Sequence, residues 1–69
     1  MWGKINKNTW RLDTDSLKGT ASVKQVEGGY KLFFKVNEKE FGMQLRKREE
    51  FFQSKKEALK QLKKEKEQF

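Results

Sequence analysis

The stretch YKLFFKV at positions 30–36 constrains the fold more than any other feature of the sequence. Three apolar residues alternate there with two lysines and a phenylalanine: Leu32, Phe34 and Val36 against Lys31, Phe33 and Lys35. Because successive side chains of a β-strand point to opposite faces, the apolar set predicts a face turned towards a core. The other set predicts an exposed face on which a phenylalanine stands between two cations.

Three further stretches have a strand-like pattern and are separated by short turns. They are TWRLD at 9–13, TASVKQV at 20–26 and EFGMQLR at 40–46. Gly28 and Gly29 predict a hairpin before the strand at 30–36, since both residues can take the positive φ of a tight primed turn. Strands joined by short turns form most simply an antiparallel meander.

The last third of the sequence has the pattern of a helix. Ser54 is followed three residues later by Glu57, the spacing of a capping box, which predicts a helix over 54–68. An apolar stripe at helical spacing supports it: Ala58, Leu59, Leu62 and Phe69.

A rival interpretation extends one helix from Leu45 to Phe69, because Leu45, Phe52 and Leu59 fall a heptad apart. The alternation of Phe41, Met43 and Leu45 favours a strand before the helix instead.

We therefore expect an α+β fold in one small domain, 1–69: a three- to four-stranded antiparallel meander with one C-terminal helix packed on one face. The predicted core residues are Trp10, Leu12, Val23, Leu32, Phe34, Val36, Phe41, Met43 and Leu45. Residues 1–8 form either a strand or an arm. Trp2 either plugs the end of the core, which we favour, or belongs to an arm that enters a nucleic-acid groove.

The face opposite the helix is the candidate functional surface. Strand parity assigns to it Arg11, Ser22, Lys24, Lys31, Phe33, Lys35, Gln44 and Arg46. A single bulge would move part of this set to the other face. Lysine and arginine contact phosphates, Phe33 can stack on a base, and Gln44 and Arg46 can read base edges. The alternatives are an ordinary solvated face, or a Phe33 that packs against another subunit or the N-terminal segment.

The charge balance agrees with a polyanionic partner. Lysine and arginine number 17 against 10 acidic residues, a net charge of +7, and this excess is spread along the chain. Cysteine and histidine are absent, so we expect no thiol nucleophile, no metal site of the usual kind and no cofactor. No serine or threonine has a nucleophile context, and no phosphate loop occurs, so we expect no enzyme activity. The sequence contains no apolar run of membrane-spanning length, which predicts a cytoplasmic protein without a membrane partner.

The residues GGYKLFFKVNEKEF and FQSKKEALKQL give the chain a family resemblance. It resembles the small sheet-plus-helix DNA-binding domains at the N-terminus of phage and transposon tyrosine recombinases, an architecture shared with the plant ethylene-response-factor domains. The matching residues are Gly29, Tyr30, Phe52, Ser54, Glu57 and Ala58. The resemblance implies a sheet that lies in the DNA major groove. The link between the last strand and the helix, MQLRKREE, is longer here than in that family.

These observations together predict a small basic module that binds nucleic acid, with double-stranded DNA preferred over RNA. Such a module would serve a phage or mobile element as an accessory or regulatory factor. The alternative is a phage-type protein that binds and modulates a host protein through the Phe33-centred patch or an exposed sheet edge. The sequence does not define the oligomeric state.

Overall fold

The computed structural model describes residues 2–69, which form five antiparallel strands followed by one helix. The strands are β1 (Trp2–Asn6), β2 (Thr9–Asp13), β3 (Leu17–Val26), β4 (Gly29–Glu38) and β5 (Gln44–Phe52), and the helix is α1 (Lys55–Glu67). Spatial order follows chain order, β1-β2-β3-β4-β5. The predicted α+β class and antiparallel meander are thus confirmed, with five strands in place of three or four.

One face of the sheet, the inner face, packs against α1. Its buried side chains come from β2, β3 and β4 and meet two residues of the helix; the core is Leu12, Ala21, Val23, Leu32, Phe34, Val36, Ala58 and Leu62. The alternation at 30–36 therefore has the predicted sense, because Leu32, Phe34 and Val36 are all buried. Burial of this apolar set is the main favourable term in folding.

The N-terminal segment forms the edge strand β1 and closes one end of the core. The Trp2 ring packs against Phe34, with 5.4 Å between ring centroids, and its Nε1 donates to the carbonyl oxygen of Lys66 at 3.2 Å. Space for this ring comes from Gly19, where an added Cβ would lie 3.2 Å from the Trp2 ring and 2.7 Å from the carbonyl oxygen of Lys35. Trp2 is thus a core plug and not part of a free arm.

The last strand is displaced from its predicted position at 40–46. Residues 39–43 form a turn and loop, and the strand begins at Gln44 and continues to Phe52. Phe41, Met43 and Leu45, predicted to be core residues, are 79%, 58% and 45% exposed. The rival long helix from Leu45 is also wrong, and most of the supposed link before the helix is strand β5.

The hairpin between β3 and β4 uses its two glycines differently. Of these two glycines, Gly28 has a positive φ, +83°, and Gly29 does not, so the prediction of positive φ at both holds for one. Gly29 begins β4, and an added Cβ there would lie 2.4 Å from the carbonyl oxygen of Phe52 and 2.8 Å from the Phe51 ring. The second glycine is required for close strand approach.

The helix begins where the capping pattern predicts. Ser54 is the N-cap, and its side chain accepts a hydrogen bond from the backbone N–H of Glu57 at 3.2 Å. Ala58, Leu62 and Glu65 form the buried stripe of α1. A carboxylate therefore occupies a position that the spacing assigns to the core.

Candidate nucleic-acid interface

The face of the sheet opposite the helix, the outer face, consists of side-chain rows that cross the strands. Residues directly opposite one another in neighbouring strands share a face, so the pairing defines each row. Successive rows are two residues apart along each strand, about 6.6–6.8 Å. From one end of the face to the other, the rows are Asp13–Lys18–Asn37–Gln44, then Arg11–Thr20–Lys35–Lys47, then Thr9–Ser22–Phe33–Glu49, and last Lys24–Lys31–Phe51.

Two lysine pairs stand directly opposite each other on this face. Lys24 pairs with Lys31 across β3 and β4, and Lys35 pairs with Lys47 across β4 and β5. The Cβ atoms of directly opposite residues are about 4.5–5.5 Å apart, and like charges in such positions destabilise a sheet. The rows that contain these pairs lie on either side of the row that contains Phe33.

The rows contain six cations and two carboxylates, and each carboxylate already has a cationic partner. Glu49 accepts from Lys31 Nζ at 2.9 Å, and Asp13 forms an ion pair with Lys39. The hydrogen bond from Lys31 lowers the pKa of Glu49, and the hydrogen bond from Lys39 lowers the pKa of Asp13. Both acids are therefore ionised at neutral pH, and the face keeps a strong positive excess.

Two phenylalanines lie among these cations. Phe33 is partly buried, and Lys31 Nζ lies 5.8 Å from the centroid of its ring. Phe51 is 49% exposed and packs beside Gly29. Because Phe33 pairs with Glu49, Phe51 is its diagonal neighbour, about 7–8 Å away along the ladder. The tip of the Phe51 ring lies over Gly29, on the side of Lys31 away from Phe33, so the two rings are separate. Phe33 and Phe51 are together called the aromatic patch.

A shallow depression of about 510 Å³ lies at the other end of the outer face. Its charged lining residues are Arg11, Asp13, Lys18, Lys35 and Lys39. Four of these five are cations, and Lys39 is already engaged by Asp13. The depression is open and basic, a shape and charge that suit a phosphate group.

Seven of the eight residues that strand parity assigned to the outer face lie on it: Arg11, Ser22, Lys24, Lys31, Phe33, Lys35 and Gln44. Arg46 does not. Asn37 pairs with Gln44 and Val36 with Arg46, so an irregularity in the ladder at this point leaves Leu45 as an extra residue in β5. Gln44 therefore stays on the outer face while Arg46 turns to the inner face.

On the inner face, Arg46 binds the buried carboxylate of the helix. Its Nε and Nη2 donate to the two oxygens of Glu65 at 2.9 and 2.7 Å, and Arg48 Nη1 donates to Oε1 at 2.8 Å. The hydrogen bond from Arg46 lowers the pKa of Glu65, burial opposes the change, and Arg48 adds to it. Arg46 therefore joins β5 to the helix, and its predicted position on the outer face, where it would read base edges, is wrong.

The residues of the face that the sequence reasoning missed include Lys18, Lys47, Glu49 and Phe51. Lys47, Glu49 and Phe51 follow a period of two, as do Arg46, Arg48, Glu50 and Phe52 on the other face. This period of two could have predicted a strand over these residues, although the charges of RKREE are more typical of a linker than of a strand.

Comparisons with known proteins found no matching family model, no matching curated protein and no matching solved structure. Within residues 2–69, no helix has the length and apolar character needed to cross a membrane.

Proposed function

We propose that this protein is a small nucleic-acid-binding module whose binding surface is the outer face of the sheet. The observation that carries the proposal is the pair of opposed lysines at Lys24–Lys31 and Lys35–Lys47. The repulsion within Lys24–Lys31 is offset by the ion pair of Lys31 with Glu49, so Lys35–Lys47 is the pair that costs stability in the free protein. A phosphate backbone laid across the face would give both pairs favourable contacts. A stability cost at a surface without a packing reason is typical of functional sites.

Two further features support the proposal. The depression lined by Arg11, Lys18 and Lys35 continues the positive surface beyond the lysine pairs. The aromatic patch supplies a contact for bases. The proposed module would act in the cytoplasm, with DNA as the expected form of nucleic acid, as an accessory or regulatory factor of a phage or mobile element. The resemblance to recombinase DNA-binding domains stays a prediction.

The test is the salt dependence of binding, measured on variants matched for charge. Lys24→Gln with Lys35→Gln removes two cations from the outer face, and Lys60→Gln with Lys64→Gln removes two exposed cations from α1. Log affinity falls as log salt rises, and we expect the first pair of substitutions to make this slope shallower by about 0.7–0.9 for each lysine removed. The second pair should leave the slope unchanged.

Binding should be measured with both a 12-base-pair duplex and a 12-nucleotide single strand. Equal losses of slope in the two double variants would mean that net charge alone governs binding. If the folded protein binds neither probe in a salt-sensitive way, the proposed function is wrong.

A second candidate function is binding of another protein, and it is supported by the connection between β4 and β5. Phe41 and Met43 are 79% and 58% exposed there, a large apolar exposure for so small a chain. Strand addition at the β5 edge is disfavoured, because charged residues occupy its middle. This candidate would be favoured by a partner protein that binds the native chain and the Lys24→Gln, Lys35→Gln double variant. The same partner should not bind the Phe41→Ser, Met43→Ser double variant.

A further inference from the structure

From the aromatic patch and its basic borders, we infer that the outer face binds single-stranded nucleic acid in preference to duplex, with bases stacked on Phe33 and Phe51. The inference rests on the proposed function and specifies the form of its ligand. It departs from the double-stranded DNA that the sequence predicts.

The first argument is the availability of base faces. In a duplex each base is covered above and below by its neighbours, and a protein in the groove reaches only base edges. In a single strand the faces are free, and aromatic side chains stack on them whatever the base. Phe33 and Phe51 offer ring surface, which suits faces and gives no hydrogen bonds to edges.

The second argument is the order of the rows. Lys24 and Lys31 are on the same row as Phe51, and the row of Lys35 and Lys47 lies on the other side of Phe33, about 6.6–6.8 Å away. Phe33 therefore lies between two rows that contain lysines, and Phe51 lies in one of those rows beside Lys31. A strand that runs along the face can place phosphates on the lysines and turn its bases inward to the rings.

The third argument is width. The major groove is about 12 Å wide and admits a helix or a two-stranded ribbon. The basic residues of the outer face come from four neighbouring strands, β2 to β5, and strands are about 4.8 Å apart, so Arg11 and Lys47 are separated by about 14 Å of sheet. A groove of that width does not admit all four strands side by side, whereas a single strand can cross the whole face.

The experiment compares one 12-nucleotide sequence free and annealed to its complement, at matched salt. We expect the free strand to bind more tightly. Phe33→Leu and Phe51→Leu, which keep an apolar side chain but remove the ring, should each weaken single-strand binding by about 5- to 150-fold. Phe33→Trp should bind the single strand as tightly as the native protein or more tightly, since the larger ring also stacks.

The controls separate stacking from folding and from charge. Phe41→Leu, at an exposed phenylalanine of the β4–β5 connection outside the rows, should bind the single strand as the native protein does. The salt slope should be the same in all the phenylalanine variants, because no cation is removed. Amide spectra would verify that Phe33→Leu and Phe51→Leu keep the native fold.

Duplex binding as tight as or tighter than single-strand binding would overturn the inference and leave the proposed function intact. Native affinity in both leucine variants, with salt-sensitive binding preserved, would do the same. If neither probe binds in a salt-sensitive way, the proposed function fails, and this inference with it.

Discussion

Arg46 and Glu65 form a two-point ion pair between β5 and the helix, with Nε–Oε2 at 2.9 Å and Nη2–Oε1 at 2.7 Å. Glu65 is 1% exposed. The pair replaces the apolar contact that a sheet normally makes with a covering helix, so one edge of this small core is ionic. A buried carboxylate needs such partners, because leaving it unpaired would be strongly unfavourable.

Replacement of Glu65 should destabilise the fold. Glu65→Ala removes the acceptor for both Arg46 and Arg48, and we expect the free energy of unfolding to fall by about 1.5–3 kcal/mol, since hydrogen bonds to charged groups contribute in that range. Glu67→Ala, at an exposed position of the same helix, should change it by less than about 0.5 kcal/mol. Urea denaturation of both variants measures the difference. Equal effects would show that the ion pair contributes nothing to stability.

Acid should weaken the protein through the same group. A carboxyl whose folded-state pKa is lowered contributes stability that is complete above its unfolded pKa and lost as pH falls through the folded pKa. The pKa of Glu65 is lowered from its ordinary 4.5, chiefly by the hydrogen bond from Arg46. We expect constant stability from about pH 5.5 to 8, where the chain has no histidine to titrate, and a decline below about pH 4.5.

Urea denaturation at a series of pH values would follow this decline. Glu65→Gln, which does not titrate, should have a shallower dependence than the native protein. The lowered pKa values of Asp13 and Glu49 act in the same direction, so part of the slope should remain. An unchanged slope in Glu65→Gln would contradict the assignment.

Removal of one lysine from an opposed pair should raise the stability of the free protein and lower its affinity for nucleic acid. Lys47→Thr removes the repulsion with Lys35, and we expect the free protein to gain about 0.2–0.5 kcal/mol, the low end of cross-strand effects for exposed groups. The same change should weaken nucleic-acid binding and lower its salt slope. Thermal denaturation and a binding titration on one preparation would measure both. A stability gain at low salt should shrink at high salt, as charge repulsion is screened.

Apolar residues of the β4–β5 connection should tolerate polar substitution. Phe41→Ser with Met43→Ser should change the free energy of unfolding by less than about 0.5 kcal/mol for each residue, because both side chains are exposed. By contrast, Leu62→Ala in the core should lower it by about 2–5 kcal/mol. A large loss in the double serine variant would support the sequence-based register with these residues in the core.

Local patterns predicted much of this fold because they act within a few residues. The alternation at 30–36 predicted which face of β4 is buried, and Ser54 with Glu57 predicted where the helix begins. The site residues on β2, β3 and β4 followed from the same parity, so Arg11, Lys24 and Phe33 were assigned to the correct face.

Two features depended on distant contacts and escaped the local patterns. The hydrophobic alternation of Phe41, Met43 and Leu45 does not form a buried strand face, and strand β5 has charged residues in its inward positions. These partly buried arginines have counter-charges within reach: Glu65, 19 residues from Arg46, binds both, and Glu50 also binds Arg48. The extra residue at Leu45 then decides that Arg46 leaves the outer face.

The sequence by itself determined the class of fold, the buried face of the central strands, the helix start and the excess of positive charge. These depend on side-chain period and capping, which are local. Only the tertiary structure decided the register of β5, the burial of Glu65, and the assembly of the lysine pairs with Phe33 and Phe51 into one surface. Those features depend on which residues the sheet places opposite each other, and strand pairing is a contact between separate parts of the chain.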